Sequence, residues 1–242
     1  MQFKNSMSNI AIIPARGGSK RIPRKNIRDF LGKPIIFYSI EAAIKSNLFD
    51  EIIVSTDDAE IAEIAIKYGA KVPFLRSKEN SNDFATTASV LLEVLNWYKN
   101  EGILFESAIC IYPCSPFVSA ELFEKANAVL KSQKADCVFP VIKYGHPIQR
   151  ALKLDENGKM TVFFDEFSNA RTQDLQNSFH DAGMFYFFDV NKFIKNQNLR
   201  TNNSFAMEID ENMTQDIDSE TDWRLAELKY KLRGYSPHVE AH

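Results

Sequence analysis

Asn9-Ile10-Ala11-Ile12-Ile13-Pro14 runs directly into Ala15-Arg16-Gly17-Gly18-Ser19-Lys20-Arg21-Ile22-Pro23-Arg24-Lys25-Asn26. The first half is a short unbroken apolar run, the pattern of a strand buried on both faces. The second half suits a phosphate. Two glycines let backbone N–H groups approach an anion, Ser19 adds a hydroxyl, and the cations neutralise charge. The loop lacks the Gly-Lys-Ser/Thr end of a Walker A loop, and it is not the dinucleotide G-x-G-x-x-G. A solvent-exposed basic turn is the plainer alternative, but a double glycine directly after a buried strand favours the anion.

Working outward, strand and helix periods alternate. Ile36, Ile40 and Ile44, four apart with Phe37 beside them, predict a helix over residues 34–46. Residues 51–56 (EIIVST) read as a strand. Asp57 or Asp58 is placed to cap a helix with Ile61, Ile64, Ala65 and Tyr68 inward and Gly69 at its stop. Residues 71–75 read as a third strand. Thr86 or Thr87 then opens a helix burying Val90, Leu91, Val94, Leu95 and Tyr98. A strand over 108–112, a helix over 119–130 and a strand over 136–141 follow. Repeated strand–helix–strand units predict a three-layer α/β/α sandwich with a mainly parallel, Rossmann-like sheet. Ligands of such sheets sit beyond the carboxyl ends of the strands, so the loops after Pro14, Thr56, Leu75 and Tyr112 share one functional edge.

Over residues 142–179 the rhythm breaks. A hairpin is expected at 151–164, turning at Glu156-Asn157-Gly158. The polar stretch 165–178 reads as a functional flap or a partner-contact arm. Residues 183–189 return as a strand whose Phe185-Tyr186-Phe187-Phe188 is core packing. Residues 219–232 close as a helix, with Ser219 and Asp222 near capping-box spacing. The expected organisation is one domain over residues 8–233, an arm inserted at about 142–180, and a tail at 234–242.

Composition narrows the class. The 242 residues are 45% hydrophobic and 25% charged, as in ordinary globular proteins. The longest apolar stretch, residues 182–188, is far short of the ~18 that suggest a membrane span. The polar start gives no signal peptide. Cys110, Cys114 and Cys137 do not form a disulfide framework, so a cytoplasmic location is expected. The net charge of −3 hides a polarisation: residues 16–28 hold six bases and no acid, and residues 208–222 hold seven acids and no base. Nucleic acid calls for a basic domain. Neither nucleic acid nor membrane is an expected partner; a small polyanion with its divalent cation fits better.

Residues 10–26 (IAIIPARGGSKRIPRKN) resemble the signature loop of the CMP–sialic acid synthetase (acylneuraminate cytidylyltransferase) family. Ile53-Val54-Ser55-Thr56-Asp57 is similar to that family's second strand and its end. Leu75-Arg76, with Asn82-Asp83 and Thr86-Thr87, resembles its base- and ribose-binding stretch. Tyr112-Pro113-Cys114-Ser115-Pro116 sits where the family carries a Gln-Pro-Thr-Ser-Pro-like turn. Asp216-Ile217-Asp218-Ser219-Glu220 resembles its metal-binding Asp-x-Asp. The matches run from about residue 10 to 230.

The resemblance implies the nucleotide-diphospho-sugar transferase type of sandwich and CMP transfer from CTP to the anomeric hydroxyl of a nine-carbon sugar acid, with pyrophosphate released. By matching position Arg16, Gly17, Gly18, Ser19 and Lys20 hold the triphosphate, Lys25 faces the α-phosphate, Asn26 touches the nucleotide, and Arg76 reads cytosine with Asp83 nearby. Arg16, Lys25 and Asp218 form the implied catalytic set, Asp218 serving the attacking hydroxyl through the metal. Independent chemistry agrees, because in-line phosphoryl substitution rests on positioning and charge neutralisation. Mg²⁺ takes carboxylate oxygens, and Asp216 and Asp218, two apart on an extended segment, point to one side. By itself an Asp-x-Asp reads equally as solvated, helix-capping acid.

Departures from the pattern bear on the substrate. Sialic acid synthetases carry an Arg-Pro-Asn-Gly-like stretch where this chain has Phe179-His180-Asp181-Ala182-Gly183. It has Tyr112 in place of their Gln, and Gln149 near where some carry a sugar-contacting Lys. The His-Asp-Ala-Gly form resembles the pseudaminic acid branch, which serves bacterial surface glycosylation of flagellin, capsule or lipopolysaccharide. Tyr112, Ser115, Gln149, Arg171, His180 and Asp181 are the candidate sugar-acid contacts. Arg171 and Arg150, from this or a partner subunit, are candidates for the carboxylate. His180 reads equally as a hydrogen-bonded histidine at a strand entrance. Residues 142–179 correspond to the family's dimerisation region, so a homodimer is implied. Other readings stay open: N-acetylneuraminic or legionaminic acid as substrate, or a metal-dependent nucleotide-sugar glycosyltransferase, whose Asp-x-Asp lies mid-chain. A non-catalytic nucleotide sensor is a further reading, against which Lys25 and the two aspartates argue.

Overall fold

Strand β1 (Asn5–Pro14) lies inside a seven-stranded sheet in the computed structural model of the protein, which describes residues 5–234. The expected tail beyond Gly234 lies outside the described residues. A two-strand clip follows, β2 (Asp29–Phe30) and β3 (Lys33–Pro34), then α1 (Ile36–Ser46), β4 (Glu51–Ser55), α2 (Ala59–Lys67), α3 (Lys78–Ser81), α4 (Thr87–Asn100) and β5 (Ile103–Ile111). The second half holds α5 (Ala120–Ser132), β6 (Cys137–Lys143), a hairpin of β7 (Leu152–Leu154) and β8 (Met160–Val162), β9 (Phe179–Asp181), β10 (Phe185–Asp189), α6 (Val190–Asn196), β11 (Ser204–Glu208) and α7 (Glu220–Leu232). The sheet order is β11-β6-β10-β5-β1-β4, with β9 also on β6. β10 runs antiparallel to β5 and β6, while β1 pairs parallel with β4 and β5 and β11 parallel with β6. The sheet is therefore mixed and mainly parallel.

Alternation along each strand builds two cores. Ala11 and Ile13 of β1, Ile109 and Ile111 of β5, and Phe185 and Phe187 of β10 face α1, α5 and α7. Ile10 and Ile12, Ala108 and Cys110, and Tyr186 and Phe188 face α4 and α6. A strand buried on both faces must be apolar throughout, which explains both IAII and FYFF. Phe30 of the clip meets Tyr38, Trp223 and Tyr230 edge-on, with centroids 5.4, 5.7 and 5.6 Å away. This aromatic knot ties α7 to the segment that follows the basic loop.

Chain direction creates the site. From β1 the chain crosses to β4 on one side, then returns past β1 to β5 on the other. The loops leaving β1 and β5 diverge there, opening a crevice at their carboxyl ends.

Several expectations shift. Residues 71–75 form a single bridge, Ile53 with Lys71, rather than a strand; Pro73 offers no N–H to a ladder. α1 begins at Ile36 because Pro34 belongs to the clip. Asp58, Thr86 and Ser119 cap α2, α4 and α5 through their side chains, and Ser219 with Asp222 makes a full capping box on α7. α6 and β11 lacked a legible period. Among the described residues no helix is long and apolar enough to cross a membrane.

Candidate functional site

The crevice holds a cleft of about 420 Å³. The basic loop contributes Arg16, Ser19, Lys20, Arg21, Lys25 and Asn26; the turn after β5 contributes Tyr112 to Ser115; Gln215 to Ile217 close it, with Gly183 between. The first and last sequence signals thus form two walls of one space. Lys25 joins them: its Nζ donates to the Ile217 carbonyl oxygen at 2.7 Å and lies 3.8 Å from an Asp218 carboxylate oxygen.

The turn after β4 shapes the loop. Gly17 N–H donates to Asp57 Oδ1 at 2.9 Å. A Cβ on Gly17 would stand 2.6 Å from Asp58 Oδ2, so this glycine is dictated by close approach. Asp58 also accepts from Ile61 N–H at the start of α2 and pairs with Arg24 at 2.5 Å, Arg24 itself standing at φ +55°. Asn26 is buried; its Nδ2 donates to the Arg16 carbonyl at 2.8 Å and its Oδ1 accepts from the Cys114 thiol at 3.2 Å. Both ends of that amide are fixed, holding the loop's entry and exit together. Burial pushes the Cys114 thiol up to about 12, leaving it an inert donor.

Every cation of the basic loop meets an acid from another segment. Arg16 and Lys20 share Asp83 at 2.8 and 2.5 Å. Arg21 and Lys25 share Asp218, at 2.8 and 3.8 Å. Arg24 takes Asp58 and Glu60, and Arg28 takes Glu220 at 2.5 Å while its guanidinium lies 4.5 Å over the Trp223 ring. Asp216 instead has its carboxyl raised, first by burial and then by Asp218. Two neighbouring carboxylates, of which Asp216 makes no ion pair of its own among the described residues, are a donor set that fits a hard divalent ion whose remaining ligands would come from phosphate and water. Among the described residues no cluster of three such side chains forms.

Of the expected site residues, Arg16, Ser19, Lys20, Lys25, Asn26, Tyr112, Ser115 and Asp216 line the cleft. Gly17, Gly18, Asp83 and Asp218 adjoin it without lining it, and the Gly17 N–H already serves Asp57. Arg76 is buried at the end of β4, its Nε donating to Ser55 Oγ at 3.1 Å and its guanidinium also to the Ser55 carbonyl. Asp181 accepts from Gly183 N–H at 2.8 Å and from the Tyr186 hydroxyl, bracing the bend where Gly183 takes φ +65°. Gln149, Arg171 and His180 do not line the cleft. Gln149 Nε2 donates to the Gln176 carbonyl at 3.0 Å, Arg171 is exposed, and the His180 ring sits 4.8 Å from Tyr144. Sequence reasoning missed the Ile217 carbonyl, which no side-chain pattern reveals, and the roles of Asp58 and Cys114, which depend on packing across the crevice.

The profile of the family described as Cytidylyltransferase matches residues 10–229. The chain is 39% identical over 226 residues to the pseudaminic acid cytidylyltransferase of Campylobacter jejuni subsp. jejuni serotype O:2, covering 93% of this chain and 97% of that protein. It is 30% identical over 218 residues to the N-acylneuraminate cytidylyltransferase of Escherichia coli O18:K1:H7, covering 90% of this chain and 51% of that protein. A CMP:2-keto-3-deoxy-manno-octonic acid synthetase solved with CTP shares the fold, with a TM-score of 0.66 at 16% identity, covering 94% of this chain and 99% of that one.

Proposed function

Because the chain belongs to the cytidylyltransferase family, we propose that it transfers the cytidylyl group of CTP to the anomeric hydroxyl of pseudaminic acid and releases pyrophosphate. The observation that carries this is Lys25, placed between the phosphate-type loop and the Asp216–Asp218 segment on one cleft. Full-length likeness to a pseudaminic acid enzyme supports the sugar assignment.

The residues divide the work. Arg16, Ser19 and Lys20 receive the β- and γ-phosphates, and Lys25 stands toward the α-phosphate, where charge develops as the anomeric oxygen attacks. The bond formed is anomeric oxygen to α-phosphorus. The bond broken joins α-phosphorus to the bridging oxygen, which leaves on pyrophosphate; the hydroxyl proton is lost to water or buffer. Asn26, held by Arg16 and Cys114, keeps the loop in shape beside the nucleotide. Asp216 and Asp218 would hold Mg²⁺, which supplies charge neutralisation and Lewis acidity at the phosphates. Tyr112 and Ser115 form the wall on which the sugar acid would rest, with Gln149, Arg171, His180 and Asp181 as outer candidates.

Residues 142–180 serve as a dimerisation arm in this reading. The hairpin β7–β8 leaves Leu152, Leu154 and Met160 more than half exposed, an apolar surface suited to a second copy. The enzyme works in the cytoplasm, where CTP is made.

The test is pyrophosphate release with CTP and Mg²⁺, offering pseudaminic, N-acetylneuraminic and legionaminic acids separately. Release with pseudaminic acid alone is expected. Release only with another acid keeps the chemistry and overturns the sugar; release with none, from protein that binds CTP, overturns the reaction.

A further inference from the structure

Four of the loop's cations line the cleft (Arg16, Lys20, Arg21 and Lys25), and two carboxylates hold all four. The two carboxylates are not alike. Asp218 belongs to the acidic segment, where a divalent cation could replace the bases it loses. Asp83 has no such substitute: its two oxygens bond to Arg16 Nη1 and Lys20 Nζ, and it stands in solvent. Arg24 and Arg28 differ again, since Arg24 is locked to the α2 cap and Arg28 is stacked on Trp223; neither lines the cleft.

Asp83 also sits on an exposed turn. It lies between α3 and α4, and its neighbour Phe84 is 93% exposed, so the Phe84 ring does not anchor the turn. The bonds nearby are local: Asn82 Oδ1 accepts from Phe84 N–H at 2.8 Å, and the Thr86 cap on α4 is independent of Asp83. Moving the carboxylate aside breaks two solvated ion pairs, which are its side-chain contacts among the described residues.

We propose that Asp83 is an exchangeable counter-anion of the phosphate loop: it holds Arg16 and Lys20 in the empty cleft and yields them to the triphosphate, setting the affinity for it. This rests on the reading of residues 16–26 as a triphosphate loop, and it assigns Asp83 a role opposite to that of a nucleotide ligand. A ligand residue strengthens binding. A competing carboxylate weakens it, because the polyanion must displace it and then bear its repulsion. Its presence keeps two long cationic side chains gathered and neutralised until the substrate arrives.

Binding of inorganic tripolyphosphate and of CTP, measured by calorimetry on the full chain, tests this with Asp83→Asn, an exposed change that leaves folding intact. Glu79→Gln makes the same charge change on α3, outside any contact with Arg16 or Lys20. Asp83→Asn is expected to bind tripolyphosphate about two- to thirtyfold more tightly, the range for releasing two solvated ion pairs, with Glu79→Gln near wild type. Equal or weaker binding by Asp83→Asn overturns the exchange role, and weaker binding favours a nucleotide ligand. Equal tightening by both variants also overturns it, as a general field effect. If the wild-type chain binds neither probe, the triphosphate-loop reading itself fails and this inference falls with it.

Discussion

Lys25 Nζ donates to the Ile217 carbonyl oxygen at 2.7 Å, across a sequence separation of 192 residues. The bond sets one ammonium between the basic loop and the acidic segment, with a carboxylate of Asp218 3.8 Å away. The anchor is a backbone carbonyl and the ion pair is long, so the ammonium remains available to an incoming phosphate. Lys25→Met keeps much of the stem's packing and removes the charge. Turnover with saturating CTP is expected to fall about 10²–10³-fold, the usual loss on deleting one preorganised charge at a developing anion. Arg21 and Arg28 still hold the acidic segment, so the melting temperature should change little. Turnover within threefold of wild type would remove Lys25 from the chemistry.

Gly17 and Gly18 are adjacent and face opposite constraints. At Gly17 a methyl would meet Asp58 Oδ2 at 2.6 Å, and Asp58 is fixed by Arg24 and by the α2 cap; at Gly18 nothing lies within 4 Å. Gly17→Ala is expected to cost about 1–3 kcal/mol, as overpacking does, lowering the melting temperature by several degrees. Gly18→Ala should melt as wild type, since its methyl would meet nothing within 4 Å, yet bind CTP more weakly, because in the proposed reading the triphosphate approaches the loop backbone there. Thermal melts with and without CTP separate the two, and equal destabilisation by both would refute the distinction.

The two periods in the first 140 residues made the sandwich and its functional edge legible, because IAII and EIIVS are strands buried on two faces and each helix carries its stripe. The loop and the Asp-x-Asp were legible as charged segments of opposite sign, and the topology brings residues of both, Lys25 and Asp216 among them, to one cleft. What stayed hidden depends on contacts distant in sequence. Arg76 packs on Ser55 at a strand end, Asp181 braces a bend, and the pairing of each loop cation with a particular acid follows from which loops meet at the crevice. The edge strand β11 was illegible for another reason: its half-exposed SFAME lacks the apolar run of a central strand.

Asp58 gives the loop a pH signature. Arg24 first, then the backbone amide of Ile61, hold its carboxyl below the ordinary carboxylate value. A depressed carboxyl contributes stability that is present above the unfolded value, about 3.9, and is lost as pH falls below it. Asn caps a helix as well as Asp does, so Asp58→Asn removes the ion pair and keeps the cap. The variant should melt about one or two degrees below wild type at pH 7, a small gap because the pair is partly solvated. The gap should close as the pH drops toward 3. A gap that stays constant to pH 3 would mean that the pair contributes nothing and that the change acts through packing.

The hairpin of residues 151–164 carries its apolar side chains in register, Leu152 opposite Val162 and Leu154 opposite Met160, so all four share one face. Leu154 is 71% exposed. An isolated two-stranded hairpin is marginal in water, and a contiguous apolar face of this kind is better explained by a second copy than by solvent. Leu154→Glu places a charge on this face, opposite Met160. Sedimentation should show the wild-type chain as a dimer at micromolar concentration and the variant shifted to monomer, with the melting of the α/β sandwich retained. If sugar-acid contacts come from the partner's arm, the monomer should bind CTP normally and release pyrophosphate poorly. A wild-type chain that sediments as a monomer would overturn the assignment of the arm, and a variant that stays dimeric would move the interface elsewhere.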